Sequence, residues 1–347
     1  MYLFNCDYNE GAHPKILERL NKTNFDQHIG YGSDEICAAA REKIKIATKN
    51  KKADVHFLVG GTQSNYTVID SILKNYEGVI SVKSGHINVH EAGAIEFSGH
   101  KVLDIDGANG KLIPEKVKEY LVEFYNDGSY THMVKPGAIY ISHPTEYGTL
   151  YTKNELKALR KICDEYSLKL FLDGARLGYG LAADNTDVTL PDIAKYTDVF
   201  YIGGTKVGAL FGEAVVFKNK EISPDFFTEM KQHGAVLAKG RLLGIQFDEL
   251  FTDNLYFEIS KKAIGLAMRI KKEVSALGLE EYIDSYTNQQ FFYIDKPLFD
   301  KMSKDFLFDV WPSDRKDKIV IRITTSWATP EAAVDSLINK FKENMEK

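Results

Sequence analysis

Residues 200–208 read Phe200-Tyr201-Ile202-Gly203-Gly204-Thr205-Lys206-Val207-Gly208. An apolar run stops at two glycines, and a lysine follows inside a turn of small residues. The run predicts a buried strand, and a lysine placed there has little reason to be a solvated surface charge. Kept from water, it can lose its proton and act as an amine nucleophile. Most lysines after strands are simply exposed, so the stretch needs support from the rest of the chain.

Upstream, Leu170-Phe171-Leu172-Asp173-Gly174-Ala175-Arg176 puts a carboxylate at the end of a second apolar strand. Open α/β sheets bind ligands at the carboxyl ends of their strands, although an Asp capping the next helix gives the same pattern. Earlier still, Gly60-Gly61-Thr62-Gln63-Ser64-Asn65 joins a strand at 55–59 to a helix at 63–74. Free N–H groups, the helix dipole and the Thr62 hydroxyl suit a phosphate there, while a tight N-capped turn explains the residues equally well. Further strands are expected at 79–82, 138–142, 168–173, 199–203 and 214–217. Between them, residues 153–166 carry Leu156, Leu159, Ile162, Cys163 and Tyr166 at helical spacing. Apolar strands alternating with helices predict an α/β domain, its mostly parallel sheet covered on both faces.

The texture changes after Phe247. A long helical region at 249–277 ends at Gly278, strands are expected at 291–294 and 318–324, and residues 330–345 form a closing helix. This divides the chain into a large domain with an N-terminal arm, 1–247, and a smaller α+β domain, 248–347. Arg322 interrupts the β-branched run Ile319-Val320-Ile321-Arg322-Ile323-Thr324. It either points outward or offers a planar fork that holds a carboxylate by two hydrogen bonds.

Composition excludes several classes. The 347 residues carry a net charge of −5 with both signs interspersed, which speaks against a nucleic-acid partner. No apolar stretch approaches the ~18–20 residues that span a bilayer, so no membrane partner is expected. Cys6, Cys37 and Cys163 are odd in number and widely spaced, and the start Met1–Asp7 has no signal-peptide pattern, which together point to the cytoplasm. No G-x-G-x-x-G follows a strand, and no P-loop motif is present. His86 and His90 have zinc-like spacing with His100 downstream, but H-E-x-x-H is absent and no metal is expected.

A phosphate cradle, an acid and a lysine at strand ends, and a carboxylate-binding arginine together match one cofactor. Pyridoxal 5'-phosphate needs a lysine for its Schiff base, an acid for its ring nitrogen and an anion site for its phosphate, and its amino-acid substrates bring a carboxylate.

At this point the chain resembles the threonine aldolase / β-eliminating lyase family of fold-type I pyridoxal-phosphate enzymes over nearly its whole length. The resemblance implies a seven-stranded, mostly parallel sheet and a role for each matching residue. Lys206 carries the Schiff base, Asp173 pairs with the ring nitrogen and Arg176 contacts the phenolate side. Gly61 and Thr62 hold the phosphate. His86, in Ser84-Gly85-His86 through Glu91, stacks on the ring, and Arg322 grips the substrate carboxylate. Tyr31, in Tyr31-Gly32-Ser33-Asp34, belongs to a segment the family often lends to a neighbouring subunit's site. A homodimer or homotetramer with shared active sites follows, with Lys239 and Arg241 as loose candidates for a partner's phosphate.

Two departures concern substrate choice. Cys6-Asp7 stands where the family has Ser-Asp, and Ser142-His143-Pro144-Thr145-Glu146-Tyr147-Gly148 stands where it has E-N-T-H. His143 therefore takes the place near the β-hydroxyl, unless a register shift brings Thr145 or Glu146 there. The implied reaction is retro-aldol cleavage of a small amino-acid substrate, L-threonine or L-allo-threonine, to glycine and an aldehyde. The alternatives are a β-eliminating lyase, a racemase or a non-catalytic protein on the same fold.

Overall fold

The structure, a computed structural model, describes residues 1–345; the last two positions of the expected small domain lie outside it. The central sheet has seven strands: β1 (Asp54–Leu58), β2 (Glu77–Val82), β3 (Val102–Ile105), β4 (Lys135–Ser142), β5 (Lys169–Asp173), β6 (Val199–Gly203) and β7 (Glu213–Phe217). Their order across the sheet is β1-β7-β6-β5-β4-β2-β3. β7 is antiparallel to both of its neighbours, and the other pairings are parallel.

Side chains alternate across the sheet with the two-residue period of a strand. Ile139, Ile141, Leu170, Leu172, Phe200 and Ile202 enter one buried layer. Ala138, Tyr140, Phe171, Val199 and Tyr201 enter the other. The near-continuous apolar runs in the sequence are thus strands buried on both faces. β3 was not expected: it is a short edge strand in which Asp104 faces solvent, so it lacks the apolar run that marks the others.

A second sheet contains β8 (Glu281–Ile283), β9 (Gln289–Ile294), β10 (Asp309–Trp311) and β11 (Ile319–Thr324), antiparallel in the order β10-β11-β9-β8. Phe292, Ile294, Ile321 and Ile323 pack there against Val334, Leu337, Ile338 and Phe341 of the closing helix Glu331–Met345.

The expected helix at 249–277 is two helices, Arg241–Leu250 and Leu255–Ala276. Asp253 and Asn254 separate them in left-handed conformations, at φ 50° and 57°. Their short polar side chains tolerate that region better than other residues do. Position 247 thus falls within the first helix. The second helix belongs to both cores: Tyr256, Ile259, Ala263 and Ile264 pack in the large one, and Leu266, Ile270 and Val274 in the small one.

The N-terminal arm is stitched to the small sheet. The Phe4 N–H donates to the Leu307 carbonyl at 2.9 Å, and the Thr324 N–H donates to the Phe4 carbonyl at 2.8 Å. This course carries Asp7 and Tyr8 toward the carboxyl edge of the large sheet.

Candidate active site

Two turns at that edge are clamped together by glycines. A Cβ on Gly174 would lie 2.0 Å from the Tyr201 carbonyl oxygen, and one on Gly203 would lie 2.2 Å from that of Ala175. The Gly203 N–H donates to the Gly174 carbonyl at 2.9 Å. The close approach requires residues without side chains, and it puts the Asp173 and Lys206 turns side by side.

Strand alternation sends Tyr140, Asp173 and Tyr201 to one face of the sheet. Asp173 is buried and receives four donors. Oδ1 accepts from the Ala175 N–H at 2.9 Å and from the Tyr201 hydroxyl; Oδ2 accepts from Asn65 Nδ2 at 3.0 Å and the Tyr140 hydroxyl at 2.5 Å. Burial pushes this carboxyl upward, but the charge of His86 and the hydroxyl donors outweigh it and hold it below its ordinary value.

Lys206 follows β6 in the same cleft, its Nζ 6.0 Å from the centre of the Tyr8 ring. Burial, helped by the Arg176 charge, lowers its ammonium below the ordinary lysine range, while Asp7, Asp173 and Glu213 partly offset the effect. Glu213, the first residue of β7, lies nearby. Its Oε2 accepts from the Gly204 N–H at 3.0 Å and its Oε1 from the Thr205 hydroxyl at 2.9 Å. Burial pushes this acid up to about 8.

The helix Gly61–Ile72 begins at the same edge. Gly60 precedes it in an extended conformation, no side chain caps it, and a Cβ built on Gly60 would meet nothing within 4 Å. An open, uncapped start to a 12-residue helix is a ready anion site. It opens into the same space as Thr62, Asp173, Thr205 and Lys206. The donor set therefore fits pyridoxal phosphate: an anion cradle, a lysine with a lowered ammonium and an ionised carboxylate share one cavity.

His86 begins the short helix His86–Val89. Its Nδ1 lies 2.7 Å from Glu91 Oε1, which also accepts from Asn65 Nδ2 at 2.7 Å. Burial alone would lower the imidazole, but its bond to Glu91 and the charges of Asp173 and Glu146 raise it above its ordinary value. Glu146 accepts from the Ser142 hydroxyl at 3.1 Å, and burial raises its carboxyl despite His86. Opposite, Arg322 donates from Nη1 to Gln289 Oε1 at 2.8 Å and pairs with Asp309 at 2.7 Å. Its guanidinium lies 5.4 Å over the Trp311 ring, and Nε is buried without a partner among the described residues.

These side chains line two adjoining cavities of about 580 and 280 Å³ that share Tyr8, His86, Glu146, Arg176 and Lys206. Gly61, Thr62, Asp173 and Arg322 join them; Tyr31 and His143 do not. His143 was expected near the β-hydroxyl. The alternation that turns Tyr140 and Ser142 toward the cleft turns His143 away. It is wholly buried, its Nδ1 accepting from the Tyr151 N–H at 3.2 Å, and burial lowers it to about 4. Glu146 occupies the cleft instead. Tyr31 is 51% exposed, with φ 60° and Lys231 over its ring. His86, His90 and His100 do not converge on one point, since His100 bonds to Asp70 and the Glu77 carbonyl.

Sequence reasoning missed Tyr140, Tyr201, Asn65 and Glu213. For the two tyrosines a signal existed: both share the strand parity of Asp173.

A mixed seven-stranded sheet with this cleft at its carboxyl edge is the architecture of fold-type I pyridoxal-phosphate enzymes. Within that class, the model of the β-eliminating lyase family matches residues 11–296, and the chain belongs to this family. The low specificity L-threonine aldolase of Pseudomonas sp. (strain NCIMB 10558) is 28% identical over 338 residues, 96% of this chain and 95% of that protein. The Pseudomonas aeruginosa protein of the same name is 26% identical over 302 residues, 86% of each chain. A solved threonine aldolase of Leishmania major superposes with a TM-score of 0.96 at 40% identity, covering 99% of this chain and 100% of that one. A histidinol-phosphate aminotransferase of Clostridium acetobutylicum, at 13% identity and a TM-score of 0.75 over nearly the full length of both chains, shares the fold.

Proposed function

We propose that this chain cleaves L-threonine, L-allo-threonine and related β-hydroxy-α-amino acids to glycine and an aldehyde, using pyridoxal 5'-phosphate bound as a Schiff base on Lys206. One observation carries the reading: Lys206, Asp173, the open helix start at Gly60–Thr62, Glu146 and Arg322 line one continuous cleft. Gly61 and Thr62 would hold the phosphate, Asp173 the ring nitrogen, Arg176 the phenolate side and His86 the ring face. Bound there, the cofactor supplies an electron sink for the pair left when a bond to Cα breaks.

The chain's own residues do the rest. Arg322, preorganised by Gln289, Asp309 and Trp311, holds the substrate carboxylate and so sets which Cα bond stands ready to break. The bond to Glu91 and the charges of Asp173 and Glu146 favour the protonated form of His86, which leaves less of it free to accept a proton. Glu146, whose carboxylate burial makes a stronger base than an ordinary glutamate, accepts the β-hydroxyl proton in its ionised form. Lys206, whose ammonium burial makes easier to deprotonate, would give up its place on the cofactor to the substrate's amino group and take it back as the product leaves.

The same reading makes the protein a homodimer or homotetramer, with Tyr31 reaching the partner's cleft. Phe25, Ile29 and Tyr31, 94%, 72% and 51% exposed, leave an apolar strip along this segment for a second copy to cover. The cytoplasm is the proposed compartment: all three cysteines are free and buried, and no helix among the described residues is long and apolar enough to cross a membrane.

Product analysis after incubation with L-threonine tests the proposal. Equal amounts of glycine and acetaldehyde are expected, and 2-oxobutanoate with ammonia in their place would reject cleavage in favour of elimination. Borohydride treatment followed by peptide mapping should fix the cofactor to Lys206.

A further inference from the structure

Glu213 is an acid in a cavity that otherwise recruits an anion. It is 3% exposed and lines the same space as Gly60, Gly61, Thr62, Thr205 and Lys206. Its hydrogen bonds fix its options. The Thr205 hydroxyl hydrogen is committed to Glu213 Oε1 at 2.9 Å, while Thr205 Oγ1 accepts from the Gly212 N–H at 3.0 Å. A hydroxyl has one hydrogen and two lone pairs, and a carboxyl group gains a donor when it takes up a proton. With Glu213 ionised, Thr205 has no hydrogen left for a ligand. With Glu213 protonated at Oε1, the bond reverses: Glu213 donates, Thr205 Oγ1 accepts from both Glu213 and Gly212, and the hydroxyl hydrogen is free to turn into the cavity. The Gly204 N–H continues to donate to Oε2 at 3.0 Å.

We propose that Glu213 carries a proton when the phosphate of the cofactor occupies the Gly60–Thr62 cradle, and that this proton turns the Thr205 hydroxyl toward the anion. Glu213 is thereby a positioning residue acting through Thr205, and anion binding is linked to its protonation. The inference rests on the cofactor reading given above. The titratable groups that face Glu213 are Lys206 and Asp173, with Tyr201 and Tyr256 from the elements packed around it. Its carboxyl, lifted to about 8 by burial, is mostly protonated at neutral pH before any anion arrives. An arriving dianion raises it further. Affinity is therefore full below pH 8 and falls as the pH rises above that, by up to tenfold per unit.

The test is equilibrium binding of pyridoxal phosphate, and separately of sulfate, to the full-length apoprotein between pH 6.5 and 9.5. Sulfate stays a dianion over this range, so its pH dependence reports the protein. Wild type should bind evenly to about pH 8 and more weakly above. Glu213→Gln keeps both hydrogen bonds in the form of the neutral acid, and should bind at the wild-type low-pH affinity throughout. Glu213→Ala, which leaves the Thr205 hydroxyl uncommitted, should be equally flat and serves if the Gln variant fails to fold. Thr205→Val should bind about tenfold more weakly at pH 7, the loss of one charge-assisted hydrogen bond. A wild-type slope surviving in both Glu213 variants would assign the titration to Lys206 and overturn the inference, as would unchanged binding by Thr205→Val. Failure of pyridoxal phosphate to bind at any pH would instead overturn the proposed function.

Discussion

The Arg176 guanidinium and the Asp7 carboxylate form a two-point pair, Nε to Oδ2 at 2.7 Å and Nη2 to Oδ1 at 3.0 Å. Asp7 is fully buried and also accepts from Asn288 Nδ2 at 2.9 Å. One carboxylate thus ties the N-terminal arm, the turn after β5 and the small domain together at the floor of the cleft.

Removing Asp7 leaves a buried arginine without its counter-charge. Asp7→Ala should cost about 3–5 kcal/mol in denaturant unfolding, and Asp7→Asn less. Burial pushes the Asp7 carboxyl up, but Arg176 and Lys206 hold it below its ordinary value. Its contribution is therefore complete above the unfolded carboxyl's pKa and lost as the pH falls through the lower folded one. Asp7→Asn should lack that acid-dependent component.

Glu146→Gln should lower kcat by ~10²–10⁴ if Glu146 accepts the β-hydroxyl proton. The acid limb of the wild-type rate profile should lie above the ordinary glutamate range, because burial raises this carboxyl. Activity then rises with pH through the limb, and the variant should lose it. A Gln variant with wild-type kcat and an intact limb would remove Glu146 from the mechanism.

His143→Gln should behave oppositely, leaving the rate near wild type and changing the pH dependence of stability. The His143 imidazole falls from 6.5 to about 4 on folding. Its neutral form is native, so its contribution is full above pH 6.5 and drains away at about 1.4 kcal/mol per unit as the pH falls toward 4. Unfolding measured at pH 7 and pH 5 should show this loss in the wild type and not in the variant.

Arg322→Lys should raise KM by ~10–100-fold while the bound cofactor's spectrum stays unchanged. A lysine keeps the charge but loses the planar fork and its seat over Trp311. A variant with unaltered KM would place the carboxylate site elsewhere.

The buried strands were legible because they are short and apolar, and β6 fell at its expected limits. Asp173, Lys206 and Arg322 stood out as charges at the ends or middle of such runs. β3 was hidden by its exposed edge, and the break at Asp253–Asn254 by an amphipathic pattern that continues across it. His143 was misplaced because a family motif fixes order along the chain, whereas strand parity fixes the face. Glu213 was overlooked since an acid opening a strand looks like an ordinary surface residue, and only the neighbouring Gly204–Lys206 turn makes it part of the cleft.

The antiparallel strand β7 has a consequence for the order in which a growing chain can fold. β1 pairs in the sheet with β7, so residues 54–58 have no sheet partner until 213–217 have been made. The helix start at Gly60–Thr62 follows directly on that unpaired strand. Contacts of such long range form late and slowly. During synthesis the anion cradle therefore exists as sequence well before it exists as a surface. A nascent chain stopped short of β7 should expose an unpaired apolar edge, which makes it a target for chaperones and proteases.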